Sequence, residues 1–78
     1  MTTIIRFEGP DVWEEHEKSV NEILESVGLD EGDYPQLDNL FPPVKLIPFE
    51  LKQLDEETIE RLRELRGVIV EVENEDDD

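Results

Sequence analysis

The chain has 78 residues, with 23 Asp and Glu against seven Lys and Arg, a formal net charge of −16 and no Cys. That length fits one domain, and a domain this small buries only about 60% of the surface its unfolded chain exposes, so the core is thin. The charge argues against binding nucleic acid or an anionic membrane, and the lack of Cys excludes disulfides and thiolate metal sites and fits a reducing, cytoplasmic setting.

Thr2 to Glu8 reads as a strand, with Ile4, Ile5 and Phe7 as β-formers and Gly9-Pro10 as the stop. Residues 1–7 hold one Arg and only short apolar runs, so no signal peptide is expected there. Nowhere does an apolar run approach the ~20 residues that a membrane span needs.

Pro10 to Val27 reads as a helix, with Pro10 at the first helical position and Gly28 placed to close the C-terminus. Val12, Trp13, His16, Val20, Ile23, Leu24 and Val27 fall on one apolar arc. Glu14, Glu15, Glu17, Glu22 and Glu25 are expected on the opposite arc, diluted only by Lys18 and Asn21. That arc is a carboxylate ridge about 16 Å long at 1.5 Å per residue.

Leu29 to Pro43 has no period and carries Gly32, Pro35, Pro42 and Pro43 among Asp30, Glu31, Asp33 and Asp38. A connection of that length suggests a functional loop. Tyr34, Leu37, Leu40 and Phe41 are expected to pack parts of it down.

Val44 to Ile47 reads as a short strand whose end at Pro48 implies an edge position or a bend. Glu56 to Arg66 reads as a second helix, N-capped by Asp55, with a Leu54–Ile59 staple and a buried stripe of Ile59, Leu62 and Leu65. Gly67 to Glu73 reads as the last strand, with Val68, Val70 and Val72 on one side and Ile69, Glu71 and Glu73 on the other. Asn74 to Asp78 reads as a disordered acidic tail.

The expected fold is therefore α+β: a single domain over residues 1–73, built as β-α-loop-β-α-β, with a three-stranded sheet and two helices packed on one face. The second face then has no covering helix, which leaves a sheet surface or an edge open for homodimerisation.

Few residues suggest chemistry. His16 is the lone His and lies on the apolar arc, where it reads as a core or boundary residue rather than a ligand. Ser19 and Ser26 lack a nucleophile motif, and neither stands in the Asp-Ser-Leu context by which short acidic acyl-carrier proteins attach their prosthetic group. Asp30, Glu31, Asp33 and Asp38 do not have the spacing of a helix-loop-helix calcium site. Arg61, Arg63 and Arg66 interleave with Glu57, Glu60 and Glu64 as an ordinary salt-bridged helix face. Gln36 to Phe41 looks somewhat like the Gln-Leu-Asp-Leu-Phe motif that docks on bacterial sliding clamps, but Asn39 is an extra residue, and Leu40 and Phe41 read instead as core anchors. No catalytic residue, metal or cofactor is expected.

The charge itself is zoned. Residues 8–38 carry eleven acids and one base, residues 39–66 six acids and five bases, and residues 67–78 six acids and no base. Carboxylates at successive helical turns form an array like the phosphates of DNA, able to occupy the same basic grooves. In size, charge and arrangement the chain resembles the small acidic DNA-mimic proteins, many of them phage-encoded, that block host DNA-binding proteins. The resemblance implies an inhibitor acting in the host cytoplasm on a basic DNA-binding protein of a bacterium, such as a histone-like nucleoid protein. Glu14, Glu15, Glu17, Glu22 and Glu25 are the expected contacts, with Asp30, Glu31 and Asp33 assisting and Glu71 and Glu73 adding reach. The competing expectation is a non-catalytic adaptor that binds through the sheet face, an edge strand or the 34–41 loop, with the charge serving solubility.

Overall fold

Alternation places Thr3, Ile5 and Phe7 on one side of the first strand, and burial of all three makes that strand the centre of the fold. The computed structural model describes residues 1–37, 39 and 41–73. The expected tail Asn74–Asp78, with Asp38 and Leu40, lies outside the described residues. The elements run β1 (Thr2–Phe7), α1 (Pro10–Ser26), β2 (Gln36–Leu37), β3 (Val44–Pro48), α2 (Glu56–Arg63) and β4 (Val68–Glu73).

The sheet is antiparallel in the order β2-β3-β1-β4, so it has four strands rather than the expected three. The added strand is β2. Pattern could not announce it, because two residues in a proline-rich loop carry no period. It is held by cross-strand bonds: Leu46 N donates to Pro35 O at 3.0 Å, and Lys45 Nζ donates to Gln36 Oε1 at 2.9 Å. Lys45 is buried, with its ammonium 5.3 Å from the Tyr34 ring centroid, so a cation–π contact joins the hydrogen bond in fixing the loop to β3. β2 reaches only Val44 and Lys45 of β3, so Pro48 stands where β3 has no neighbour on that side, the position a residue without an N–H tolerates.

Both helices pack on the same face of the sheet. Val20 and Leu24 of α1 and Leu62 of α2 meet Ile5 and Ile47 in a layer from which solvent is excluded. α2 starts as expected: Asp55 Oδ1 accepts from Thr58 N at 3.0 Å. Hydrogen bonds from the Thr58 side chain and backbone hold the Asp55 carboxyl below its ordinary value. The helix ends at Arg63, short of Arg66. The expected salt-bridged face is thin as well, because Arg61 pairs with Glu57 at 3.8 Å while Arg63 turns to the sheet and donates to Val70 O at 3.0 Å.

In the turn from α2 into β4, α1 packs close against the backbone at Gly67. Gly67 has φ +87°, and a Cβ there would lie 2.6 Å from Val12 Cγ2. A side chain at this position meets both left-handed backbone strain and a collision with α1. Gly67→Ala is therefore expected to cost about 2–4 kcal/mol, read from urea unfolding. Val12→Ala in the same chain removes the collision, so the double variant should lose less than the two single losses added together.

Candidate functional site

α1 determines where the carboxylates point. With Val20 and Leu24 buried, the 100° step per residue turns Asp11, Glu14, Glu15, Lys18, Glu22 and Glu25 away from the sheet, and all six are exposed. At 1.5 Å per residue, Glu15 and Glu22 stand about 11 Å apart along the axis, and Glu14 and Glu25 about 17 Å. Asp11 belongs to this face by the same periodicity that places Glu15 and Glu22 there. Glu17 does not: it lies about 60° from Val20 around the helix, and it is half-buried on the flank. The expectation that it joined the ridge is corrected by that angle.

The C-terminus of α1 gathers more charge. Gly28, with φ +93°, donates to Glu25 O at 3.0 Å, and Leu29 N reaches back to Leu24 O at 2.9 Å. These are the paired bonds of a Schellman close, completed by the buried Leu29. The chain then turns through Asp30, Glu31 and Asp33, all exposed, with Asp33 Oδ2 accepting from Asp30 N at 3.0 Å.

Tyr34 is buried at 6% exposure, and its hydroxyl has no hydrogen-bond partner among the described residues. Burial pushes its pKa up to about 12, helped by the negative charges of Glu31, Asp33 and Glu25. One phenol thus reports that the last turn of α1 and the 30–33 loop share an acidic neighbourhood.

Electrostatically this end is uncompensated. α1 has no basic residue in its last turn, so Glu25 and the loop acids sit against the negative end of the helix dipole. α2 does the opposite, with Glu56 and Glu57 in its first turn and Arg61 and Arg63 in its last. The ion pairs found among the described residues are Arg6–Glu71 at 3.1 Å and Arg61–Glu57, and neither involves α1.

Glu71 and Glu73 are not part of the ridge. Ile69, Glu71 and Glu73 alternate with the buried Val68 and Val70, so they lie on the sheet face remote from the helices. Glu71 is also engaged by Arg6. The structure therefore sets Glu14, Glu15, Glu22 and Glu25 on the outward face of α1, gathers Glu25, Glu31 and Asp33 around Tyr34 with Asp30 exposed in the same loop, and sets Glu71 and Glu73 on the far side.

Phe41 is a second correction. It is 66% exposed and is held only edge-on against Trp13, ring centroids 5.3 Å apart, so it is not the core anchor its neighbours suggested. Leu37 is also exposed, at 40%, while Tyr34 packs inward as expected. His16 is half-buried on α1.

Among the described residues there is no pocket, no group of three or more His, Asp and Glu side chains able to hold a metal ion, and no helix long and apolar enough to cross a membrane. Comparison with family models, curated proteins and solved structures gave no match.

The Tyr34 environment gives a direct measurement. Its folded-state pKa is raised, so its contribution to stability is present below the unfolded value of 10.0 and is lost as pH climbs from there through about 12. An ultraviolet titration of this sole Tyr should show a midpoint well above 10.0. In the variant Glu31→Gln/Asp33→Asn the midpoint should fall toward 10.0 without returning to it, because burial is the larger cause.

Proposed function

We propose that the chain acts by binding and not by catalysis, as a DNA mimic that occupies the basic nucleic-acid surface of a bacterial DNA-binding protein and excludes DNA from it. The observation that carries this reading is the outward face of α1. Asp11, Glu14, Glu15, Glu22 and Glu25 are exposed on a rigid helix and have no ion pair among the described residues. At the C-terminus of α1 they are joined by acids that run against the helix dipole. An isolated fold gains nothing from the acids at that C-terminal end, and α2 shows the same chain placing bases in a last turn, the favourable sense. Local disadvantage kept on one face fits a surface shaped for something outside the molecule.

The partner chemistry follows. Carboxylates standing about 11–17 Å apart along one axis present an acceptor array to Arg and Lys. Each contact is a charge-assisted hydrogen bond, and association is fast and salt-sensitive. Glu71 and Glu73 face the other way, so they add to the long-range field and not to this contact surface.

Two experiments test the reading. The first is competition between this protein and labelled duplex DNA for a purified histone-like nucleoid protein. Displacement of DNA should be strong at low salt and weaken steeply as salt rises. Glu14→Lys/Glu22→Lys/Glu25→Lys should weaken it by at least about 100-fold through lost and reversed charge pairs, while Glu73→Lys leaves it nearly unchanged. Displacement indifferent to the triple reversal, or a complex in which DNA stays bound, refutes the reading.

The second experiment needs no partner. Glu25→Lys places a cation at the C-terminus of α1 and should raise the stability of the isolated protein by about 0.3–1 kcal/mol in urea unfolding. A loss of stability there would mean that Glu25 serves the fold.

A further inference from the structure

The helix-free face of the sheet has a composition that an open face does not ordinarily carry. Outward positions of a half-solvated antiparallel sheet are usually polar. Here they are Thr2, Ile4 and Arg6 on β1, Val44, Leu46 and Pro48 on β3, and Ile69, Glu71 and Glu73 on β4, with the exposed Leu37 on β2. The register joins the apolar members. Leu37 faces Val44, Leu46 faces Ile4, and Ile4 lies diagonal to Ile69. The patch runs across all four strands.

Its charge is equally unusual. Arg6, Glu71 and Glu73 give this face a net −1 on a molecule of −16. A second copy of the chain is repelled from every strongly acidic surface, and this face offers an approach of low repulsion. The one ion pair on it, Arg6–Glu71, is exposed and self-complementary. A two-fold axis beside it sets Arg6 of one copy against Glu71 of the other, the reciprocal contact that an isologous interface requires.

We infer that the chain self-associates through this face into a back-to-back dimer, sheet against sheet about 10 Å apart, with the α1 ridges on the two outer surfaces. The inference stands independently of what the ridges bind. Apolar Ile4, Val44, Leu46 and Ile69 supply the attraction, and the Arg6–Glu71 pair supplies the register. The central strands β3 and β1 with the edge strand β4, five or six residues each, give a contact of about 14 by 17 Å. That is small beside standard interfaces, so the dimer is weak and forms only at high protein concentration.

The salt dependence distinguishes this association from ridge binding. Two like-charged chains repel at range, and salt shortens that range from about 30 Å at 0.01 M to about 3 Å at 1 M. Added salt should therefore strengthen the dimer, whereas it weakens any contact between the ridge and a basic partner.

Sedimentation equilibrium of the full chain, from tens of micromolar to about a millimolar, reads the outcome. The weight-average mass should rise from 9.1 kDa toward twice that value, at lower concentration in high salt than in low. Leu46→Lys should hold the mass at 9.1 kDa throughout, and Arg6→Glu, on an exposed position, should do the same should the first variant fail to fold. Arg6→Glu/Glu71→Arg should restore the dimer. In the unmodified chain, concentration-dependent amide shifts should centre on Ile4, Arg6, Leu46 and Ile69. A monomer at every concentration in high salt, or shifts centred on α1 or on the outer edge of β4, overturns the inference.

Discussion

The structure depends on a single apolar layer between α1 and the central strand β1. Ile5 and Ile47 from the sheet meet Val20 and Leu24 from α1 and Leu62 from α2, and each of these is fully buried. Val12, Trp13, Ile23 and Val27 of α1 pack against the margin of that layer, and together these contacts hold the 17-residue helix on the sheet. Once that layer forms, the 100° step decides the direction of every other α1 side chain. The close approach of Val12 to Gly67 then locks the same helix to the turn before β4.

A two-layer domain has two outer surfaces, and here they are sorted by charge. The outer surface of the helices carries the α1 carboxylates, while the outer surface of the sheet carries Ile4, Val44, Leu46 and Ile69 with one ion pair. Burial of one face of each element leaves the other face to be set by sequence alone, and this sequence sets the two in opposite senses. A solubilising charge would be expected on both. The sheet face carries only Arg6, Glu71 and Glu73, whereas the helix layer carries the exposed acids of α1, and that difference sets the two surfaces apart.

Strong periodicity made most elements legible in the sequence, along with α1's inward arc, the Asp55 cap and the Gly28 stop. The misreadings have physical causes. β2 is defined by a partner, Lys45, whose side chain lies beneath Tyr34 and binds Gln36, and no local pattern encodes a contact nine residues away. Glu17 is charged, and its type suggested solvent, but its angle places it on the flank. Glu71 was expected to add reach to the ridge, but the β1–β4 register sets it on the far face beside Arg6 of another strand. Phe41 looked like core by composition, yet the loop offers it only the edge of Trp13. For β2, Glu71 and Phe41 the deciding contact is tertiary, whereas for Glu17 it is the helical angle.

The few cations complete the picture. Of seven Lys and Arg, only Lys18 belongs to α1. Lys45 holds the loop to β3, Arg6 pairs on the open sheet, and Arg63 reaches the outer edge of β4 to donate to Val70 O. That last contact matters beyond its own energy. An exposed edge strand invites pairing with another chain, and a guanidinium on its carbonyl interrupts the row of free groups. Edge-to-edge growth is hindered while the sheet face is left open, and the fixed positive charge is kept off the outward face of α1 apart from Lys18. The same scarcity of bases that makes the chain so acidic therefore determines which of its surfaces remain available to a partner.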